Sequence, residues 1–178
     1  MTKVQRRGIL KGISRRDKPV EAYMEIRKIT SCKKDYLPLL LLGDEQESMI
    51  DRYLERGTLY ALFDEGAARA VCVVTDEGNG VLEIKNIAVE PAFQKKGLGR
   101  ALIAYIENTH RQTHSVLLVG TGESPLTVPF YEKCGFRYSH RIPNFFTDHY
   151  DHPICEGGVL LRDMVYYTKR IQANPALA

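Results

Sequence analysis

The sequence predicts one α+β domain with a mixed, mostly antiparallel central sheet flanked by helices. Short β-rich segments alternate along the chain with segments of helical periodicity. A turn cluster, Asp-Glu-Gly-Asn-Gly at residues 76–80, joins two strand-like segments closely enough for an antiparallel hairpin. The 178 residues, 44% hydrophobic and 26% charged, suffice for one hydrophobic core and leave no room for a second full domain.

The predicted elements follow in the order β-α-α-β-β-β-α-β-α-β-β, which is typical of an α+β domain. Apolar residues at helical spacing indicate the helices, and runs of β-branched residues between turn signals indicate the strands. The predicted ranges are a strand at 24–29, helices at 34–41 and 45–55, an antiparallel meander at 58–63, 70–75 and 81–89, a helix at 98–106, a strand at 115–119, a helix within 125–133, a strand from Phe136, a long polar loop, and a final strand at 159–167.

Residues 24–168 are predicted to form the folded domain, with an appended basic extension at 1–23 and a C-terminal tail at 169–178. The extension is expected to be flexible, and it holds seven Lys or Arg against two Asp or Glu. Its charge of +5 accounts for the net charge of +3 and leaves a mildly acidic body. Overall basicity therefore gives no argument for nucleic-acid binding, although targeting or nucleic-acid binding is an alternative function for the extension itself.

Hydropathy and cysteine usage predict a cytoplasmic protein. The longest nearly continuous apolar run, residues 36–42, is far shorter than the ~20 residues of a membrane span, and the N-terminus carries no apolar signal segment. Four widely spaced cysteines without a CxxC pair indicate neither a disulfide framework nor a zinc ribbon. We therefore expect no membrane partner, and the exposed strand edges would suit a homodimer.

A glycine-containing motif lies between a predicted strand and a predicted helix. Residues 94–101 read Gln-Lys-Lys-Gly-Leu-Gly-Arg-Ala. A helix N-terminus offers unpaired N–H groups and a partial positive charge, and Gly97 and Gly99 let a phosphate approach the backbone closely. The motif therefore predicts a pyrophosphate site. A dinucleotide fingerprint would need glycine where Leu102 stands, and a Walker A motif is absent from the sequence, so both are disfavoured.

In its context, this motif resembles the signature of the GCN5-related N-acetyltransferase (GNAT) superfamily. The pattern Q/R-x-x-G-x-G/A at 94–99 follows a strand that ends in Ile-Ala-Val-Glu-Pro at 87–91. A second block, Pro-Phe-Tyr-Glu-Lys-Cys-Gly-Phe at 129–136, looks like the superfamily's Y-x-K-x-G-F block. The resemblance extends over residues 24–168 in the order of elements, and it implies acetyl-CoA as the donor, with no metal cofactor.

The resemblance also implies where acetyl-CoA would bind. Strand residues 87–89 would pair with the pantetheine arm like an added strand, and the N–H groups of residues 95–101 would hold the pyrophosphate. Where many relatives use an Asn at the start of the next helix, this sequence has Ser124, an acceptable N-cap that can still form a hydrogen bond. The predicted cofactor-binding residues are Ile87, Ala88, Val89, Gln94, Lys95, Lys96, Gly97, Leu98, Gly99, Arg100, Ala101 and Ser124.

The resemblance further assigns a general acid to the reaction. Tyr131 matches the tyrosine that lies near the cofactor sulfur and is proposed as the acid in many members. A phenol, with a reference pKa of ~10, can protonate a departing thiolate when it is well placed. The alternative is that Tyr131 only packs against the pantetheine arm.

Glu83 is the predicted general base. It precedes Ala88 by the spacing found in the histone acetyltransferase branch of the superfamily. Strand alternation predicts that Glu83 shares a face with Lys85, Ile87 and Val89. Glu83 could then form only a surface ion pair with Lys85, and many relatives use a water relay as the base instead. The N–H of Val89 is the predicted group that polarises the thioester carbonyl.

The polar loop at 143–153 is predicted to act as a lid over the amine acceptor. Its aromatic residues would supply apolar walls, and its acidic residues would attract a cation. His149 and His152 lie in the same loop, but His-x-x-His without a helical frame or a distant third ligand does not favour a metal site. The predicted substrate-binding residues are Phe145, Phe146, Asp148 and Tyr150, with Asp151 as an alternative source of charge.

These observations predict a cytoplasmic N-acetyltransferase that moves acetyl from acetyl-CoA directly to a primary amine of a small molecule. One alternative is a protein N-terminal or lysine acceptor, which predicts an open groove in place of the aromatic lid. Another alternative is a catalytically idle acyl-CoA-binding module with a regulatory role. Such a module agrees with the phosphate site and disagrees with a working Tyr131.

Overall fold

A seven-stranded sheet forms the centre of the molecule. The structure, a computed structural model, describes residues 24–171, so the predicted extension 1–23 and residues 172–178 of the predicted tail lie outside the described residues. The strands are β1 (Glu25–Ile29), β2 (Thr58–Asp64), β3 (Ala67–Asp76), β4 (Val81–Val89), β5 (Val116–Gly122), β6 (Arg137–Ile142), β7 (Cys155–Glu156), β8 (Val159–Leu160) and β9 (Met164–Arg170).

Helices flank the sheet and lie in the connections between its strands. One turn of 3-10 helix, Lys33–Tyr36, leads into the first α-helix, and a second, Pro91–Phe93, follows β4. The α-helices are α1 (Leu37–Leu40), α2 (Glu47–Leu54), α3 (Leu98–His110), α4 (Val128–Lys133) and α5 (Phe145–His149).

The strands of the central sheet lie in the order β1-β2-β3-β4-β5-β9-β6. Every neighbouring pair is antiparallel except β4 and β5, which confirms the predicted mixed, mostly antiparallel sheet. The β3–β4 turn forms as its residues indicate. Gly78 and Gly80 adopt φ of 81° and 74°, and Asp76 accepts the N–H of Gly78 at 2.8 Å.

Two hydrophobic cores cover the two faces of the sheet. Ala70, Cys72 and Val74 of β3 pack toward α3 and α4, whereas Val71 and Val73 pack toward α1 and α2. Because β3 is buried on both faces, its sequence is a nearly continuous apolar run. Each fully buried aliphatic side chain contributes about 1.5–3 kcal/mol, so β3 and its neighbour β4 form a rigid frame for the site.

Lys33 fixes the C-terminal end of α2. Its ammonium donates hydrogen bonds to the carbonyls of Leu54 at 2.9 Å, Glu55 at 2.8 Å and Gly57 at 2.8 Å. The last carbonyls of a helix have no partner within the helix, and they carry partial negative charge. One lysine from the preceding segment therefore satisfies this helix end and holds α2 against the sheet.

The predicted final strand at 159–167 is wrong as one element. Gly157 and Gly158, with φ of 59° and 81°, form a turn that pairs β8 with β7 outside the main sheet. The chain then turns inward at Leu161, and β9 begins at Met164 and ends past the predicted domain boundary. The loop predicted before it likewise contains α5 and β7, which the polar composition of that segment did not indicate.

Candidate active site

An opening separates β4 from β5 over half of their length. Their parallel pairing covers only residues 81–84 of β4 and 116–119 of β5. Farther along, the described residues supply no strand partner to this edge of β4, which continues to Val89. Unpaired N–H and C=O groups at a strand edge allow an extended ligand to add as a strand. Residues 87–89, predicted to bind pantetheine, lie in this opening.

A β-bulge at Lys85 interrupts the regular ladder of β4. Val73 lies opposite Asn86 and Val74 lies opposite Ile84, so Lys85 is an additional residue on its strand. A bulge reverses the alternation of side chains beyond it. The faces of β4 therefore differ from those that a regular strand would have.

The bulge moves Glu83 to the face of the sheet that α1 and α2 cover. Glu83 shares that face with Asn86 and Ala88, whereas Ile87 packs with the core on the α3 side. The prediction that Glu83 shares a face with Ile87 and Val89 is therefore wrong. Strand alternation assumes a regular ladder, and the sequence gives no turn or glycine signal for this bulge.

A cleft of about 520 Å³ runs through the opening between the strands. The loop between α1 and α2, together with α2 itself, forms one wall, and β5 and α4 form another. Residues of α5 and of the segment after it form a third wall. The cleft thus joins the α3 side of the sheet, where the phosphate motif lies, to the α2 side, where Glu83 lies.

The predicted pyrophosphate loop lies at the N-terminus of the 13-residue helix α3. Lys95 and Gly97 adopt φ of 60° and 90°, so the backbone turns sharply before the helix begins. At Gly99 a Cβ would lie 3.1 Å from the Phe130 ring, so a larger residue at this position would require that ring of α4 to shift. The first turn of a helix supplies free N–H groups, and the local geometry therefore fits a phosphate ligand.

Gln94 ties this loop to the end of β4. Its side-chain amide donates a hydrogen bond to the carbonyl of Val89 at 3.1 Å. Lys96 stays near the loop because its ammonium lies 4.6 Å from the centre of the Phe93 ring. The predicted phosphate-binding and pantetheine-binding segments are thus held together by side chains of the motif itself.

Tyr131 projects from α4 into the cleft and is 5% exposed. Its ring packs edge-on against Phe130 and Phe136, at centroid distances of 5.1 and 5.7 Å. Burial raises the pKa of the Tyr131 phenol, and the nearby carboxylate of Glu156 raises it further. A phenol in this environment keeps its proton at neutral pH.

Glu83 is 7% exposed, and its carboxylate lies 2.8 Å from the ammonium of Lys85. Lys85 also lies 3.8 Å from Glu77, which in turn pairs with Arg56 at 2.9 Å. The ion pair with Lys85 thus exists, but the carboxylate is a buried group on the cleft wall. Its chemistry can therefore act on a ligand inside the cleft.

A lid formed by residues 144–154 closes the α2 side of the cleft. The hydroxyl of Tyr150 donates to Asp44 at 3.0 Å, and the N–H of Asp151 donates to the side chain of Gln46 at 2.9 Å. Phe146 anchors the lid in a small apolar cluster with Ile154 and Leu161. Both hydrogen bonds join the lid to the loop between α1 and α2.

The hydrogen-bond network of the lid continues to the central sheet. Asp44 also accepts a hydrogen bond from Tyr53 at 3.1 Å, and Asn86 of β4 donates to Tyr53 at 3.1 Å and to the Leu40 carbonyl at 2.9 Å. Burial raises the pKa of Asp44, and the two tyrosine hydroxyls oppose that rise. At Gly43, a Cβ would lie only 2.8 Å from Asn86, so glycine permits this close approach.

Ser124 makes hydrogen bonds within the protein. Its hydroxyl donates a short hydrogen bond to Glu156 and accepts the N–H groups of Leu126 at 3.2 Å and Thr127 at 3.2 Å. Thr127 also donates to Glu156 at 3.1 Å. Because α4 begins only after Thr127, Ser124 caps the preceding turn and binds the carboxylate that β7 brings to it.

The structure brings most of the predicted site residues to the cleft and its rim. Residues 87–89, Gln94, Glu83 and Tyr131 line the cleft, as do the lid aromatics. Asp148 is exposed and does not line it, so the prediction that Asp148 faces the acceptor does not fit the lid's orientation. The lid aromatics that line the cleft are Phe145, Phe146 and Tyr150. The other predicted cofactor-binding residues lie in the phosphate loop or at the start of α3, and they are Lys95, Lys96, Gly97, Leu98, Gly99, Arg100 and Ala101.

Sequence reasoning missed the cleft residues that come from outside the two motif blocks. Asp44 lies in a loop with no motif, 106 residues before its partner Tyr150, and Glu156 lies 32 residues after its partner Ser124. Arg52 and Tyr53 were recognised only as part of a helix. The helical spacing of Met49, Arg52 and Tyr53 was the one available signal that these side chains share a face.

The described residues contain no group of three or more His, Cys, Asp or Glu side chains arranged to hold a metal ion. All four cysteines lie in the described part of the chain as free thiols. Cys134, at the end of α4, is buried, and burial raises the pKa of its thiol.

Within residues 24–171, every helix is too short or too polar to cross a membrane.

Comparisons with known proteins agree with the fold and the motifs. The family model for the acetyltransferase (GNAT) domain matches residues 55–138. The uncharacterized N-acetyltransferase YvbK of Bacillus subtilis (strain 168) is 39% identical over 129 residues, which cover 71% of this chain and 83% of that protein.

Two solved structures extend the match. An IAA acetyltransferase from Bacillus cereus ATCC 14579 superposes with a TM-score of 0.77 at 34% identity. The match covers 83% of this chain and 99% of the chain of that structure. A GNAT family acetyltransferase from Elizabethkingia anophelis, solved with acetyl-CoA bound, gives a TM-score of 0.78 at 33% identity. This match covers 83% of the present chain and 97% of the chain of that structure.

Three findings define the protein as an acetyltransferase, namely the opening between β4 and β5, the phosphate motif and these matches. The chain belongs to the GNAT superfamily. The predicted superfamily, fold class and enzyme class are thereby confirmed, and the acetyl-CoA held by a related structure is the predicted donor. The free edge of β4, the turn at Gly97 and the N-terminus of α3 are features that fit this ligand.

Proposed function

We propose that the protein transfers acetyl from acetyl-CoA directly to a primary amine of a small molecule. The observation that carries this proposal is the lid, which Tyr150 and Asp151 fasten to the loop between α1 and α2. An extended polypeptide acceptor needs an open groove on this side of the sheet. The fastened lid instead covers one side of a cleft of about 520 Å³, and this volume, which includes the proposed donor side, is typical of small-molecule sites.

Acetyl-CoA, when bound, supplies an activated thioester. The N–H groups at the start of α3, preceded by Gly97, would hold its pyrophosphate, with Lys95, Lys96 and Arg100 adding positive charge. The free edge of β4 would pair with its pantetheine arm. The N–H of Val89, at the end of that edge, would donate to the carbonyl oxygen as charge develops on it.

Glu83 is the proposed general base. Its carboxylate lies on the α2 side of the cleft, where an acceptor amine would enter, and it can take the proton that the amine loses, directly or through water. Lys85 keeps the carboxylate oriented at 2.8 Å.

Tyr131 is the proposed general acid. As the amine forms its bond to the acetyl carbon, the carbon–sulfur bond breaks and the thiolate needs a proton. Tyr131 faces the cleft on the α4 side, and burial keeps its phenol protonated. The acid and the base thus lie on opposite walls, so that an amine and a thioester can meet between them.

A reducing, cytoplasmic location fits the four free cysteines, because such a compartment keeps thiols reduced.

A protein acceptor is the competing function within the same enzyme class. Its binding would require the lid to open, with loss of both hydrogen bonds to the α1–α2 loop.

The test measures thiol release and acetylated product for a panel of small primary amines and for peptides with a free N-terminus or an internal lysine. We expect turnover with some small amines and a lower kcat/KM when the same amine is part of a peptide. Higher kcat/KM for peptides would overturn the small-molecule acceptor. Glu83→Gln should lower kcat with the preferred amine, and retention of full kcat would exclude Glu83 as the base.

A further inference from the structure

Seven charged side chains line the cleft, and all but one of them are already engaged. The carboxylates of Asp44 and Glu156 accept hydrogen bonds from hydroxyl groups, and Glu45 lies 3.7 Å from His152. The charged residues of the cleft wall are Asp44, Glu45, Arg52, Arg56, Glu83, Lys85 and Glu156.

The cationic side chains of the cleft wall differ in whether a carboxylate pairs with them. Arg56 pairs with Glu77 at 2.9 Å, and Lys85 pairs with Glu83 at 2.8 Å. Arg52 has no carboxylate within 4.0 Å and no hydrogen bond to any residue of the described range 24–171. Its guanidinium therefore lies on the cleft wall with no donor engaged by another described residue.

The position of Arg52 places it on the acceptor side of the cleft. It shares a cleft-facing stripe with Met49 and Tyr53 of α2 and with Arg56 just after the helix, and these residues follow one another at helical spacing. The lid residue Tyr150 lines the same cleft as Arg52.

We propose that Arg52 is an anion subsite and that the acceptor is an amine with an acidic group at its other end. This inference rests on the proposed function, because it names the class of amine that the cleft accepts. A guanidinium binds carboxylate and phosphate through paired, charge-assisted hydrogen bonds. The apolar side chains of Phe145 and Met164, which also line the cleft, suit the connecting part of such a molecule.

The experiment compares kcat/KM for pairs of amines that differ only in the anionic group. Aminomethylbenzoate is paired with aminomethylbenzamide, ε-aminocaproate with its amide, and phosphoethanolamine with ethanolamine. We expect wild-type enzyme to favour the anionic member of at least one pair by about tenfold or more, as for a hydrogen bond between charged groups. The pair with the larger ratio identifies the anion as carboxylate or phosphate.

Variants of α2 assign the preference to Arg52. Arg52→Gln should reduce the ratio to within about twofold, and Arg52→Lys should restore part of it, because lysine keeps the charge without the planar fork. Arg56→Gln is the matched control, one helical turn away and paired with Glu77, and it should keep the wild-type ratio. Melting temperatures of the variants show whether they remain folded.

The outcomes separate the subsite from the proposed function. Turnover of small amines without preference for the anionic member overturns the subsite and leaves the small-molecule acceptor intact. A preference that survives in Arg52→Gln also overturns the assignment. Absence of turnover with every small amine, in an enzyme that binds acetyl-CoA and acetylates peptides, overturns the proposed function and the subsite together.

Discussion

Tyr150 in the lid donates a hydrogen bond to Asp44, 106 residues earlier in the chain, at 3.0 Å. Asp44 accepts a second hydrogen bond from Tyr53, so one carboxylate links the lid, the α1–α2 loop and α2. Through Asn86 the same network reaches β4, where the cofactor is proposed to bind. Lid closure and the shape of the acceptor side are therefore coupled through one half-buried acid.

Removing the hydroxyl of Tyr150 should loosen the lid. We expect Tyr150→Phe to lower the free energy of unfolding by about 1 kcal/mol, because one partly buried hydrogen bond to a carboxylate is lost while Tyr53 still binds Asp44. The KM for the acceptor should rise. Urea unfolding and steady-state kinetics measure both effects, with Tyr138→Phe on the exposed face of β6 as the control. An unchanged KM would show that the bond does not hold the lid over the acceptor.

Tyr131→Phe tests the general acid. The substitution keeps the ring that packs against Phe130 and Phe136, so we expect folding and acetyl-CoA affinity to be retained. Removing a general acid should lower kcat by about a hundredfold or more. Thiol release measures kcat, and the cofactor-induced rise in melting temperature measures binding. A variant with wild-type kcat would limit Tyr131 to a packing role.

Lys33→Met tests the end of α2. Methionine keeps the apolar stem of the side chain but loses three hydrogen bonds to the carbonyls of residues 54, 55 and 57. We expect the free energy of unfolding to fall by about 1–2 kcal/mol. Its neighbour provides the control, because Lys34 pairs with exposed Glu47 at 2.6 Å and Lys34→Met should cost less than about 1 kcal/mol. Equal losses in urea unfolding would contradict the special role of Lys33.

His110 predicts a pH dependence of stability. Burial, followed by the charge of His114, lowers the pKa of His110 below its ordinary value of 6.5. Between the folded pKa and 6.5 the unfolded chain binds more protons than the folded chain, so stability is full above pH 6.5 and declines as pH falls below it. Urea unfolding at a series of pH values should show a smaller decline for His110→Gln. His140→Gln, at an exposed position, is the control and should keep the wild-type decline in stability. The assignment would be contradicted if His110→Gln declined as much as the wild type, or if His140→Gln lost the decline.

The sequence predicted the parts of the molecule that local patterns determine. Strand β4 was predicted with the observed bounds, Val81–Val89, because a turn cluster precedes it and Pro91 follows it. The start of α3 was predicted at Leu98, directly after the glycine that allows φ of 90°. The first motif block follows β4 and leads into α3, so the proposed cofactor side of the cleft was largely visible in the sequence.

The acceptor side could not be predicted in the same way. The bulge at Lys85 depends on how β3 and β4 pair, and no residue type at that position requires it. Asp44 and Glu156 acquire their places only when distant segments meet. The exposed position of Asp148 follows from the orientation of α5, which sequence periodicity does not determine.

The most direct test of the proposed chemistry is the melting temperature with and without acetyl-CoA, followed in the same sample by thiol release on addition of small primary amines. Binding to the folded state should stabilise the protein by ~2.7 kcal/mol at about a hundredfold excess over the dissociation constant. We predict this rise in melting temperature together with thiol release for at least one amine. No change in melting temperature at saturating acetyl-CoA would contradict the assignment of the opening between β4 and β5 as the donor site.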